Sequence, residues 1–262
     1  MQRAQVMFQT GAITHVGKVR ERNEDSYLAR PDAGIWAVAD GMGGHENGDL
    51  ASQTVIEALG AIQHPTSAED LLERCADQVA NANDRLKSIS SERGGITIGA
   101  TVAALLTYDA HYACVWSGDS RIYLVRAGQI TQLSRDHTEV QELLSQGVIT
   151  PNEARTWPGR NVITRAIGVF DEPELEVRSG PLHPGDSFVI CSDGLTQHVE
   201  DAEILSCVGT SLSQQACDHL LELTLERGAV DNVTVIVVRY DPEAMLLTRS
   251  DAESPDLWEL PG

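Results

Sequence analysis

The sequence predicts an α+β fold, antiparallel strands covered by paired helices, on three observations. Two amphipathic helical patterns succeed each other over 51–62 and 67–86, as a layer covering one face of a sheet requires. Strand-like runs joined by short turns fill 96–133, and such connections make neighbouring strands antiparallel, so this stretch reads as a meander rather than a βαβ array. An unbroken β-branched run, Val233-Thr-Val-Ile-Val-Val238, supplies a further strand near the C-terminal end.

In chain order, a first strand is expected over 13–17. The mixed-charge run Lys18-Val-Arg20-Glu-Arg22-Asn-Glu24-Asp25-Ser26 reads, taken alone, as a solvated turn. Residues 27–28 and 35–39 form a hairpin around Arg30-Pro-Asp-Ala-Gly34. The apolar run 35–39 delivers Asp40 into the glycine-rich turn Gly41-Met-Gly-Gly44. The helix beyond carries Ala51, Val55, Ala58, Leu59 and Ile62 on one face. The next starts at a cap, Ser67 with Asp70 three residues on, and carries Leu72, Cys75, Val79, Ala82 and Leu86. Strands over 96–106, 112–116, 121–126 and 130–133 follow, separated by Tyr108-Asp-Ala, Ser117-Gly-Asp119-Ser and Ala127-Gly-Gln. The segment 134–168 is less regular. It holds a helical run near 138–145 and a short helix opened by Thr150-Pro151, and a flap-like excursion is expected at about 145–165. Pro184-Gly-Asp186 turns into a strand over 187–191 that ends at Ser192-Asp193-Gly194. Helices over 201–208 and 212–227, the second closed by Gly228, precede Asp231-Asn232 and the last strand. A domain over 1–240 is therefore expected, followed by a polar, acidic, loosely held tail over 241–262.

At 262 residues the chain can bury a substantial core. The hydrophobic fraction is 42% with no apolar run of membrane length, so no membrane span is expected. Met1-Gln-Arg-Ala-Gln-Val lacks the apolar stretch of a signal peptide, and the five cysteines never form C-x-x-C. A reducing, cytoplasmic setting is the expectation, with no disulfide frame and no zinc knuckle. A net charge of −20 argues against nucleic acid as a partner and favours cations.

A carboxylate at the end of a strand buried on both faces is costly unless something cationic sits against it. A nucleotide loop does not explain Asp40, because G-x-G-x-x-G would need glycine where Glu46 stands. A hard divalent cation suits an aspartate and a free backbone carbonyl better. Glu24, Asp25, Asp119, Asp193 and Asp231 also lie beside expected strands, mostly in Asp-Gly or Gly-Asp turns. One such turn is explained by backbone preference alone. The set is not, because Asp40 and Asp193 both end nearly uninterrupted apolar strands.

Five stretches then carry a resemblance: Gly17-Lys-Val-Arg20-Glu-Arg-Asn23-Glu24-Asp25-Ser26, Val38-Ala-Asp40-Gly-Met-Gly-Gly-His45, Ser117-Gly-Asp119-Ser-Arg121, Ser192-Asp193-Gly194-Leu195-Thr196 and Asp231-Asn232-Val-Thr234. In order and spacing, over roughly 10–240, the chain resembles the PP2C (PPM) metal-dependent serine/threonine phosphatases in their compact bacterial form. The resemblance implies a four-layer α-β-β-α sandwich, two antiparallel sheets flanked by pairs of antiparallel helices. It implies that Asp40 bridges two Mn²⁺ or Mg²⁺ ions, that Asp193 and Asp231 complete the first, and that Glu24 and the Gly41 carbonyl serve the second. By the same resemblance Asp119 with Asp193 supplies a weaker third site, Asp25 holds metal-bound water, Asn232 supports the cluster from behind and Arg20 binds phosphate. The implied activity is hydrolysis of phosphoserine and phosphothreonine on proteins by a metal-bound water, in a monomer opposing a bacterial Ser/Thr kinase.

The chemistry agrees with that assignment. Two metals roughly 3.5–4 Å apart lower the pKa of a bridging water and neutralise phosphoryl oxygens that repel hydroxide. Thiol-free carboxylate ligation selects Mg²⁺ or Mn²⁺ over structural zinc, and a guanidinium fork holds a phosphoryl group through paired hydrogen bonds. Rival chemistries lack their parts. C-x5-R fails at Gln197 after Cys191 and at Ser120 after Cys114; D-x-D is absent; Gly118-Asp119-Ser120 has no partner histidine. His137 reads as structural, and His45 is a candidate proton donor to the leaving group. Gln197 departs from the commoner pattern, in which an acid follows Ser-Asp-Gly-Leu-Thr. An inactive binding module and a phosphatase of small phosphoesters remain the alternatives.

Overall fold

The fold is seen in a computed structural model, which describes residues 8–43, 47–154, 156–159 and 161–242. His45 and the tail from 243 onward lie outside the described residues. The chain opens with β1 (Phe8–His15), β2 (Asp25–Arg30) and β3 (Ile35–Met42), followed by α1 (Gly48–Gly60) and α2 (Ala68–Glu92). Then come β4 (Gly99–Ala100), β5 (Val102–Tyr108), β6 (His111–Ser117), β7 (Arg121–Arg126) and β8 (Gln129–Gln132). Helices α3 (Glu139–Ser145) and α4 (Pro151–Ala154) precede β9 (Glu176–Pro181) and β10 (Ser187–Cys191). The last elements are α5 (Asp193–Thr196), α6 (Asp201–Thr210), α7 (Ser213–Glu226) and β11 (Val233–Tyr240).

These strands form two antiparallel sheets, one ordered β1-β11-β10-β7-β8 and the other β2-β3-β5-β6-β9 with β4 beside β3. Alternation along each central strand feeds three apolar layers. Ile35, Ala37 and Ala39 of β3 meet Ala51, Val55 and Leu59 of α1 and Cys75 and Val79 of α2. Trp36 and Val38 point the other way, joining Phe188, Ile190, Ile236 and Val238 between the sheets. Val189, Val235 and Val237 pack beneath Ile204 and Leu220 of α6 and α7. The result is the four-layer sandwich, and β3, β10 and β11 read as continuous apolar runs because both their faces are covered.

The stretch expected as one meander is divided between the sheets. β5 and β6 pair, but β7 pairs with β10 across the molecule, so Ser117-Gly-Asp119-Ser carries the chain from one sheet to the other. Gly118 takes φ +111° there, and a Cβ on it would lie 2.6 Å from Thr101 Cγ2. β7 itself needs cover on both faces, Ile122 and Leu124 between the sheets and Tyr123 and Val125 under the helices, which a flat meander would not provide. Smaller shifts have local causes. β1 runs eight residues and stops before Gly17 at φ +82°. The strand expected from 96 starts at Gly99 and breaks at Thr101, whose side chain is used by Asp40. On α2 the buried position is Leu71, with Leu72 only half-buried, while Ser67 caps as expected by accepting from Asp70 N at 3.1 Å.

Candidate metal and phosphate site

Both sheets end in Asp-Gly at the same place, and in each case the glycine is required by close approach. A Cβ on Gly41 would lie 1.9 Å from the Gly48 carbonyl oxygen at the start of α1, and one on Gly194 would lie 1.9 Å from the Asn232 carbonyl oxygen. A side chain at either position would push its aspartate off the strand end. Asp25 stands opposite Asp40 in the β2–β3 ladder and accepts from Ser192 Oγ at 2.7 Å across the gap between the sheets. Asp40 receives its backbone order from Thr101: Asp40 N donates to Thr101 Oγ1 at 3.0 Å and Thr101 N to the Asp40 carbonyl at 2.8 Å. Thr101 Oγ1 also contacts Ser120 Oγ at 2.8 Å, tying the Asp40 strand to the turn that bears Asp119.

Asn232 fastens the loop after β1. Its Oδ1 accepts from Glu24 N at 2.8 Å, and its Nδ2 donates to the carbonyls of Val16 and Arg22 at 2.9 Å each. The loop expected to be a solvated turn is therefore pinned to the start of β11. Glu24's carboxylate lies against the N-terminus of α1, where a Cβ on Gly48 would meet its Cδ at 2.5 Å. The positive end of the helix dipole favours an anion at that position.

Crowding dominates the electrostatics. Burial, then Asp25, Asp193, Asp119 and Asp231, push the Asp40 carboxyl well above the ordinary carboxylate range. Burial pushes Asp25 up to about 7 and, with help from Asp193, Asp119 up to about 8. Asp193 rises through burial and its neighbour Asp231. Glu24 is raised by burial, against the pull of Arg20. Such a set is stable in its ionised form only with positive charge among the carboxylates.

Two sources of that charge fit. Arg20 Nη2 sits 2.8 Å from Asp231 Oδ2, with 53% of its side chain exposed to solvent. Its partner is thus Asp231, not Glu24 or Asp25. The donor set, all hard oxygen and free of thiols, also fits a Mg²⁺ or Mn²⁺ ion. One buried atom points the same way: Asp25 Oδ1 has no hydrogen-bond partner among the described residues. No three His, Cys, Asp or Glu side chains among the described residues already converge as a metal cage. Asp231 is turned to Arg20, Asp193 Oδ2 accepts from Gln197 Nε2 at 2.7 Å, and Asp25 is turned to Ser192. A cation would draw these carboxylates off their protein partners.

His137 is structural, as expected. It is buried, its Nδ1 accepts from Gly118 N at 3.1 Å and its Nε2 lies 3.1 Å from Glu176, which fixes the Nε2-protonated ring beneath the 117–120 turn. Sequence reasoning missed Thr101 and Ser192 as supports of the site. Ser192 was signalled by its place before Asp193, while Thr101 had no signal short of the fold.

A family model described as protein phosphatase 2C matches residues 15–227. The chain belongs to the protein phosphatase 2C family. It is 39% identical over 246 residues to the serine/threonine protein phosphatase PstP of Mycobacterium tuberculosis, covering 92% of this chain and 47% of that protein. The chain thus spans about half the length of this relative. The PstP catalytic domain in complex with two manganese ions superposes with a TM-score of 0.80 at 37% identity, covering 89% of this chain and 98% of that one. PppA, described as a key regulatory component of T6SS in Pseudomonas aeruginosa, gives 0.83 at 38% identity, with 89% and 97% covered. Among the described residues no helix is long and apolar enough to cross a membrane.

Beside these acids lies a cavity of about 620 Å³. Asp119 and Asp193 form part of its wall, together with Val140, Gln141 and Leu144 of α3 and with Gln197, His198 and Val230.

Proposed function

We propose that the chain is a metal-dependent phosphatase acting on phosphoserine and phosphothreonine in proteins, with residues 1–240 as the catalytic domain and 241–262 as an appended tail. One observation carries the reading: the ends of both sheets bury Asp25, Asp40, Asp119 and Asp193 together, with Asp231 close by, so that burial and neighbouring charge raise the carboxyls of the first four. None of the acids needed for an active enzyme is missing, which speaks against an inert binding module.

Asp40, Asp193, Asp231 and Glu24, with the Gly41 carbonyl, would hold two Mn²⁺ or Mg²⁺ ions, and Asp119 with Asp193 a weaker third. When bound, such ions supply an activated water and neutralise the phosphoryl oxygens. Asp25 would orient that water through the oxygen left free by Ser192. Asn232 keeps Glu24 in place through the backbone. Arg20 is anchored by one terminal nitrogen on Asp231, and its exposed guanidinium would pair with phosphoryl oxygens arriving from solvent. The partners we propose are phosphorylated proteins and an opposing bacterial Ser/Thr kinase, met by a cytoplasmic monomer.

The test is hydrolysis of a phosphothreonine peptide before and after exhaustive chelation, then with Mn²⁺ or Mg²⁺ restored. Activity should vanish on chelation and return with either ion. Undiminished turnover in the chelated protein would overturn the reading.

A further inference from the structure

We propose that the cavity beside the acids is a substrate subsite that takes an apolar side chain from the segment flanking the phosphorylated residue. This rests on the phosphatase reading above and adds what that enzyme selects. The cavity is continuous with the site, because Asp119 and Asp193 belong to both. A protein whose phosphoryl group sits at the acids must run its neighbouring residues along this wall or away from it, and about 620 Å³ is more room than a phosphoryl group fills.

The apolar character comes from α3 and from Val230. Val140 and Leu144, one helical turn apart on the same side, both line the cavity. α3 buries none of its residues, so this face is not spent on the core. Val230 also lines the cavity, 47% exposed although it lies between the buried Ala229 and the acid Asp231. Apolar side chains from two segments among a few polar groups are what a specificity pocket presents.

The charged and polar groups nearest the acids are already engaged. The Arg121 guanidinium is forked onto Asp136 at 2.6–3.0 Å and bonds the Tyr123 hydroxyl at 3.0 Å, which leaves it unsuited to capture an anion. Gln197 donates to Asp193 at 2.7 Å, and His198 Nε2 accepts from Val230 N at 3.3 Å. Val140, Leu144 and Val230 thus offer apolar contact in a lining that also holds Gln141 and Asn161.

The experiment measures kcat/KM on phosphothreonine peptides carrying leucine or glycine at successive positions on either side of the phosphorylated residue, with p-nitrophenyl phosphate in parallel. At one or two adjacent positions leucine should be preferred over glycine on the order of tenfold. Leu144→Lys and, separately, Val140→Lys should reduce that preference to near unity and lower the peptide-to-small-ester ratio by a similar factor. Both positions are on a helix without buried residues, and circular dichroism with the milder Leu144→Ala checks that the fold survives. A preference absent at every position, or one that outlasts both lysine variants, overturns the subsite alone. Hydrolysis of the small ester with no turnover of any peptide overturns the protein-phosphatase reading and the subsite with it.

Discussion

The two walls of the site are held by different means. The loop after β1 is pinned by Asn232 through three hydrogen bonds to main-chain groups, and a further bond runs from Lys18 N to the Ala229 carbonyl at 2.8 Å. Its acids sit where glycine alone allows the strands to end. The opposite wall, over 138–165, is anchored through the Thr138 cap and through Glu139 N on the Val162 carbonyl at 3.0 Å, and it leaves Val148 and Val162 exposed. The difference separates two tasks. Groups that must hold charge at fixed positions are tied to backbone of the sheets, while the groups we propose to meet a substrate sit on a segment with little core behind it.

Gly41→Ala should break the tight wall most severely. Its Cβ would meet backbone 1.9 Å away, so either α1 or Asp40 must move, and a loss of more than about 3 kcal/mol is expected together with loss of turnover. Thermal unfolding and phosphate release are the measurements, and an unchanged melting temperature would show that the contact is slack.

Next in size is a pH effect confined to the acids. Asp25 is pushed from its ordinary 3.8 to about 7 by burial, so between about pH 4 and 7 the folded protein keeps a proton that the unfolded chain releases. Stability of the chelated protein should therefore fall as pH rises through that window, by on the order of 4 kcal/mol. Saturating Mn²⁺ should flatten the dependence, because it supplies the positive charge that protonation otherwise replaces. A flat profile in the chelated protein would show that burial does not hold Asp25 protonated in the fold.

Asn232→Ala removes three hydrogen bonds and leaves main-chain groups of the loop without partners, a cost of about 2 kcal/mol. The smallest effect belongs to the other wall: Val148→Ala, at a side chain 62% exposed, should change stability by no more than about 0.5 kcal/mol. Equal costs at Asn232 and Val148 in chemical denaturation would erase the contrast.

What could be read from sequence follows the same division. β3, β10 and β11 announce themselves as unbroken apolar runs because both faces are covered, and the acids at their ends stand out against that background. The crossing at Ser117-Gly-Asp119-Ser did not, since a short turn looks alike whether the next strand pairs with its neighbour or leaves for another sheet. β9 was not anticipated: it is an edge strand whose residues are mostly exposed, so it carries no alternation. Leu71 and Leu72 are adjacent apolar residues, and the choice between them turns on where the Ser67 cap sets the helix phase. The aspartates could be named from motif and spacing. The Arg20–Asp231 pair and the Thr101–Ser120 link could not, because each joins residues that only the tertiary fold brings together.

The pairing of β1 with β11 has a consequence for synthesis. Phe8 lies opposite Tyr240, and Asp231 meets Arg20 from 211 positions away. While a ribosome is still making α6 and α7, the growing chain lacks the strand that brings Asp231 and Asn232 to the acids of the first 40 residues. Closure over so long a separation is slow and late. A half-made polypeptide therefore lacks Asp231 and Asn232 beside those acids, and the site we propose is assembled only with the final strand.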